Sequence, residues 1–200
     1  KRIREDYLRV LRYIRFFLNY SKKKHNVKVT KIIKKNLEGF SKISSERLLD
    51  EFKKLVRSKG FLKLTKDKFC FEIINLIFPQ FKNLSIFRNL NSFAKDNIEN
   101  VDFIFLLSLM IIDGSDNADY FIYKFNISKK DQKRLLLLNN FFSNKINNKF
   151  FSKNNLQKIL YFNEKQSLLD LINFQIFKSK KVDKKLLEMI EFFKDKEPPL

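Results

Sequence analysis

Apolar residues recur every three to four positions along almost the whole of this 200-residue chain, and only three glycines and three prolines interrupt them. That period lays apolar residues along one side of a helix, whereas a half-buried strand alternates with period two. The pattern therefore predicts an all-α protein of many helices with no sheet. The length allows one large helical domain or two to three small ones with their own cores.

The first helix is expected from Arg4 to Asn19, burying Tyr7, Val10, Leu11, Ile14, Phe17 and Leu18. A second runs from Thr30 to Gly39 with Ile32, Ile33 and Leu37 inward. Ser44 caps a third, which buries Leu48, Leu49, Phe52, Leu55 and Val56 before Gly60 ends it. After Gly60 the pattern breaks. Thr65 opens a Phe-rich helix that must stop before Pro79, whose ring cannot continue the backbone ladder. Ile86 to Lys95 reads as a short helix and Asp102 to Ile112 as a buried one. Ser128 and Asp131 have capping-box spacing and open a helix towards Phe142. The Asn- and Lys-rich stretch Ser143 to Ser152 is the expected linker. Helices near Asn155–Phe162, Gln166–Lys178 and Asp183–Lys194 follow. The organisation expected is residues 1–57, 58–142 and 143–200. No fixed-period repeat emerges, which argues against a regular helical solenoid.

Lys and Arg number 42 against 22 Asp and Glu, a net charge of +20 spread along the chain. Such a field attracts polyanions, nucleic acid foremost and an anionic membrane surface second. An AT-rich coding bias also enriches Lys, Asn, Ile and Phe, so charge alone does not decide. The longest apolar run, Phe103 to Ile112, is broken by Ser108. It falls short of the roughly 20 residues that span a bilayer, so no membrane partner is expected. Cys70 is the only cysteine, which excludes an internal disulfide and suits a reducing, cytoplasmic setting. A chain that starts at Lys1 reads as a piece of a longer one.

Chemistry is densest at the start. With Tyr7, Val10, Leu11 and Ile14 turned to a core, Asp6, Arg9 and Arg12 face away from it. Asp6 and Arg9 lie three apart, a spacing that brings side chains together on a helix edge. A carboxylate offers only acceptors and a guanidinium only donors. Together they complement the amine and ring nitrogen of cytosine or adenine and oppose the reversed order of guanine and uracil. The same spacing equally describes an ordinary surface ion pair worth roughly 0.2–0.5 kcal/mol.

The run Glu5-Asp6-x-x-Arg9-x-Leu11-Arg12-x-x-Arg15-Phe16 resembles the motif that opens the neck of class II tRNA nucleotidyltransferases, the CCA-adding enzymes and related bacterial poly(A) polymerases. The resemblance implies that Asp6 and Arg9 act as a protein template for CTP and ATP, with Arg12 and Arg15 near the bound nucleotide. Tyr7 departs from the small residue or proline often found there. Ile43-Ser44-Ser45-Glu46-Arg47-Leu48, followed by Glu51 and Leu55, resembles the family's bracing neck segment. Ser44 would cap its helix, Glu46 favour its positive end, and Arg47 hold a neck carboxylate, for which Glu5 is the candidate. Ile77-Phe78-Pro79 and Lys124 to Asp131 are fainter likenesses to the body and C-terminal region. The likeness is specific over residues 1–56, suggestive to 142 and undetected beyond. It implies a neck at 1–57, a helical body at 58–142 and a helical tail at 143–200, with tRNA as partner.

The family's metal-binding carboxylates belong to an N-terminal catalytic head, where Asp-x-Asp follows a glycine turn. Gly114-Ser115-Asp116-Asn117-Ala118-Asp119 has the wrong spacing and reads as a solvated turn. No catalytic or metal-ligating residue is therefore expected here, and Mg²⁺ falls to the head, leaving this chain inert by itself. The same scaffold could serve a poly(A) polymerase, a CC-adding or A-adding enzyme, or a non-catalytic RNA-binding module. His25, inside a lysine-rich run, reads as a loop residue, and Cys70, with no His or Cys near it in sequence, as a core thiol. Tyr13 and Phe16 are possible base-stacking platforms, and lysines at 22–24, 34–35, 129–130 and 180–181 possible phosphate contacts.

Overall fold

The computed structural model describes residues 6–144 and 148–196, and among them the protein is all-α, with eleven α-helices and no strand. The first part of the described chain holds α1 (Leu8–Tyr20), α2 (Val27–Lys35) and α3 (Ser45–Val56). Then come α4 (Lys68–Ile77), α5 (Ser92–Asn97), α6 (Phe103–Ile111), α7 (Asn117–Lys124) and α8 (Lys129–Ser143). The chain closes with α9 (Lys153–Phe162), α10 (Lys165–Lys178) and α11 (Lys184–Lys194). Short 3₁₀ turns at Leu37–Lys42, Phe61–Lys63, Leu84–Arg88 and Asn148–Phe151 join them. Among the described residues no helix is long and apolar enough to cross a membrane.

Several expected boundaries move. α1 begins at Leu8 rather than Arg4, with Tyr7 as its N-cap, and the Asp6 carboxylate just ahead of it accepts the Leu8 N–H at 3.1 Å. α2 begins at Val27 because Asn26 accepts from the amides of Lys28 and Val29, and it ends at Lys35. Ile32, expected inward, is 49% exposed, while Ile33 is buried. α3 ends at Val56, ahead of Gly60. The Phe-rich helix opens at Lys68, since Asp67 rather than Thr65 receives the Cys70 amide, at 2.8 Å. The segment 86–95 is two elements, divided where Asn91 caps α5. The expected turn at 114–119 extends only to Asp116, where α7, a helix the sequence pattern does not predict, begins at Asn117. Of the expected linker, 148–151 is a 3₁₀ turn and 145–147 lie outside the described residues.

The main core runs from Leu8 to Phe177 and is dominated by phenylalanine. Phe52, Phe78 and Phe81 meet with ring centroids 4.7–4.8 Å apart, and Phe121 stacks on Phe125 at 4.3 Å. α6 is apolar all round and buried over most of its length. α10 works on two faces. Leu171, Phe174 and Phe177 enter the main core, while Leu168, Ile172 and Ile176 join Leu156, Leu160, Leu186 and Phe193 in a second cluster.

α1 packs chiefly on α3 and on the 3₁₀ turn at Phe61. Gly60 permits the close approach. A Cβ there would sit 2.6 Å from the Leu18 carbonyl carbon, and the Gly60 N–H donates to the Asn19 side chain at 3.0 Å. Gly39 leaves room in the same way for the Tyr7 ring, so the bulky residue at position 7 is accommodated by a missing side chain opposite.

Candidate functional site

The residues singled out on α1 form one charged ridge held from beneath. Glu51 of α3 is 3% exposed, and three cations reach it. Arg15 Nη2 lies 3.1 Å from Oε1, while Arg12 Nε and Lys54 Nζ lie 3.5 and 3.4 Å from Oε2. Arg12 also extends Nη1 to Asp6 Oδ2 at 3.2 Å. Asp6 and Glu51 together offset Arg12 and Arg15, so Lys54 and Arg9 leave the ridge electropositive.

Asp6 and Arg9 do not pair. Because Asp6 stands ahead of the helix, the three-residue spacing no longer brings the two side chains onto one edge. Its carboxylate turns instead to Arg12, six residues on. Arg9 is exposed and forms no ion pair among the described residues. Its backbone N–H, not its guanidinium, reaches Asp6, donating to the carbonyl at 3.2 Å.

The bracing segment also differs from expectation in detail. Ser44 caps α3 through the Arg47 amide at 3.5 Å, and Glu46 sits in the first turn, where the helix end is positive. Glu46 is reached by Asn126 at 3.5 Å. The Arg47 side chain is exposed, and its expected partner Glu5 lies outside the described residues. The brace found is Glu51 with Arg12 and Arg15. Local sequence patterns do not single it out, although a lone carboxylate among the core positions of α3 is a visible signal.

Phe16 and Tyr20 continue the exposed side of α1, 54% and 77% exposed, and stack on each other at 6.1 Å. The Arg15 guanidinium lies 5.1 Å from the Phe16 ring centre. Lys22, Lys23 and Lys24 are exposed just beyond. Lys34 is engaged by Glu72 at 2.7 Å and Lys130 by Glu164 at 3.6 Å, so neither is a free phosphate contact.

No family model matches the chain, and no curated protein matches it either.

The structure gathers one group that sequence spacing conceals. His25, expected as a loop residue, is wedged under the loop after α1, with Phe17 stacked on its ring at 3.6 Å and Phe69 at 4.8 Å. Tyr13 Oη lies 2.7 Å from Nδ1, and the Asp67 carboxylate 3.0–3.1 Å from Nε2. Cys70, with no histidine near it in sequence, has its Sγ 3.7 Å from Nε2. Burial pushes the Asp67 carboxyl up, but hydrogen bonds from the Cys70 amide and His25 outweigh it and hold it below the usual range. Burial and the Asp67 charge push the Cys70 thiol up.

His25, Asp67 and Cys70 are the only grouping of three or more ligating side chains among the described residues. With one carboxylate beside nitrogen and sulfur, they do not fit Mg²⁺, which takes oxygen ligands in an octahedral shell. Asp113 and Asp119 are already used. Asp113 accepts from the Ser115 amide and hydroxyl, and Asp119 from Asn139.

Proposed function

We propose that the chain is the helical neck, body and tail of a cytoplasmic tRNA nucleotidyltransferase that adds CCA to tRNA 3′ ends. The observation that carries the reading is the Glu51 clamp. Two segments resembling family motifs, 39 residues apart at Arg12 and Glu51, are joined through a buried carboxylate. Such a clamp keeps α1 fixed while Arg9, exposed on its surface, can meet a base. Asp6 has lone pairs to spare beyond those used by Leu8 and Arg12, so it can still accept from a base amine. Two open grooves of about 610 Å³ each lie elsewhere, and α1 lines neither. A nucleotide on α1 therefore needs a second surface, which in this reading is the head that binds Mg²⁺ and triphosphate. Poly(A), CC-only and A-only addition use the same base-reading logic.

A non-catalytic RNA-binding module is the second reading, favoured by the exposed Phe16–Tyr20 stack beside Lys22 to Lys24. Single-turnover incorporation of all four nucleotides into tRNA by the intact protein, head included, separates the two. Arg9→Ala and Asp6→Ala are each expected to lower use of CTP and ATP, costing about 1–3 kcal/mol of discrimination by analogy with bidentate base readout. Equal loss for all four nucleotides would reduce the pair to a structural role, and no incorporation at all would favour the binding module.

A further inference from the structure

We propose that His25, Asp67 and Cys70 form a binding site for a borderline-soft divalent ion, Zn²⁺ foremost, beneath the loop that joins α1 to α2. The site is independent of the nucleotidyltransferase reading. Its donor set of imidazole nitrogen, thiolate sulfur and carboxylate oxygen is one that Zn²⁺ accepts. Donors about 2.0–2.3 Å from a tetrahedral ion lie roughly 3.3–3.7 Å from one another. Nε2 is already 3.7 Å from Sγ and 3.0 Å from Oδ2, and all three ligand atoms lie within 4.8 Å of one another. Closing round an ion requires the widest pair to draw together by roughly 1–1.5 Å, from a separation of up to 4.8 Å to the tetrahedral spacing.

The surroundings hold the imidazole in place. Phe17 and Phe69 fix the plane of the ring, and Tyr13 Oη can accept from Nδ1–H, leaving the Nε2 lone pair for the ion. A hydrogen bond to the far ring nitrogen is the usual support for a ligating histidine. Asp67 keeps Oδ1 on the Cys70 amide as the cap of α4 and turns Oδ2 to the site. Asp67 is also the most exposed of the three, so its side leaves a fourth position open to water.

The charges balance. Neutral imidazole, carboxylate and thiolate sum to minus two, so the occupied site is neutral and avoids burying a net charge. Without an ion, Nε2–H donates to Asp67 and the Tyr13 hydroxyl donates to Nδ1. Binding moves the imidazole proton to Nδ1, breaks the Cys70 S–H bond, forms the sulfur–metal bond, and releases that one proton to solvent. Because a proton leaves when the thiolate binds, binding must weaken as pH falls.

Co²⁺ in place of Zn²⁺ makes the site visible. Titrating the whole reduced chain is expected to show one equivalent bound, with a thiolate-to-cobalt charge-transfer band in the near ultraviolet and strong tetrahedral bands in the visible. Tyr13→Phe, which removes only the supporting hydroxyl, is expected to weaken binding roughly 10–100-fold, the usual cost of losing such a partner. Cys70→Ser is expected to abolish the charge-transfer band. Absence of that band from the wild-type chain at stoichiometric Co²⁺ overturns the site whatever the variants do. Survival of the band in folded Cys70→Ser overturns it as well. Undiminished affinity in Tyr13→Phe overturns the assignment of His25 as the nitrogen ligand.

Discussion

Glu51 shows how one residue can settle the placement of a helix. Its carboxylate is buried, yet Arg12 and Arg15 keep a quarter to two-fifths of their side chains in water. Glu51→Gln preserves shape and removes the charge while both arginines can still turn outward. The expected loss is about 1–3 kcal/mol, the range for hydrogen bonds to charged groups, rather than the larger cost of stranding a fully buried ion. Urea unfolding of the variant measures it, and a change within about 0.5 kcal/mol would mean that α1 is held by apolar packing alone. What is legible at this scale is local. Ser44 and Ser128 each cap the helix expected of them, because a cap and its amide lie three residues apart. Glu51 with Arg12, and His25 with Asp67 and Cys70, are separated by 39 to 45 residues and meet only through the fold. Asp6 is a different case, for by spacing alone a side chain just ahead of the helix is indistinguishable from one on the helix itself.

Among the helices, the strongest cross-link is polar. Arg134 of α8 reaches Asp170 of α10 and Asp102, the cap of α6, each at 2.7 Å. Asp170 is 2% exposed, and burial pushes its carboxyl up even though Arg134 opposes this. Arg134→Met removes the partner and leaves the carboxylate buried. The expected cost is about 3–5 kcal/mol at neutral pH. The double variant Arg134→Met with Asp170→Leu should recover much of it, since an apolar replacement of a buried pair is often neutral. Thermal unfolding of both variants checks the pair, and a double variant no better than the single would show that the charges themselves stabilise the crossing. α1 and α3, whose apolar periods are strong, are readable from sequence, and α8 is readable from its capping box. α7 is not. It makes only two turns, buries Asn117, Ala118, Phe121 and Ile122, and exposes Tyr120 and Tyr123, so aromatic residues on both sides blur the period. The split at Asn91 is hidden for another reason. Its amide donates to the carbonyls of Ile176 and Ser179, more than eighty residues away, and that bond is invisible to a local pattern.

Over the whole molecule the net charge of +20 sets a field whose purpose can be tested. Internal pairing absorbs part of it, for Arg12, Arg15, Lys34 and Arg134 all answer acidic partners. Lys22, Lys23 and Lys24 are exposed beside the Phe16–Tyr20 stack, at the end of the helix that carries Arg9. If the field serves tRNA, affinity must fall steeply with salt, because each phosphate neutralised releases condensed counterions. Six to ten such contacts imply a loss of roughly 10³–10⁵ in affinity between 50 and 200 mM salt. Folded tRNA should also bind more tightly than an unstructured RNA of equal length, since helices read RNA by shape as well as charge. Replacing Lys22, Lys23 and Lys24 together by Ala should lower the slope of log affinity against log salt by up to about three, near one for each phosphate that is no longer neutralised. The loop should survive that change, as its hydrogen bonds run between the Ser21 hydroxyl and the Lys23 backbone rather than through the lysine side chains. Gel-shift titrations across salt concentrations give both quantities. An unchanged slope in the triple variant would remove this loop from the interface, and a wild-type chain with neither a salt slope nor a preference for tRNA would leave codon usage as the whole reason for its lysines.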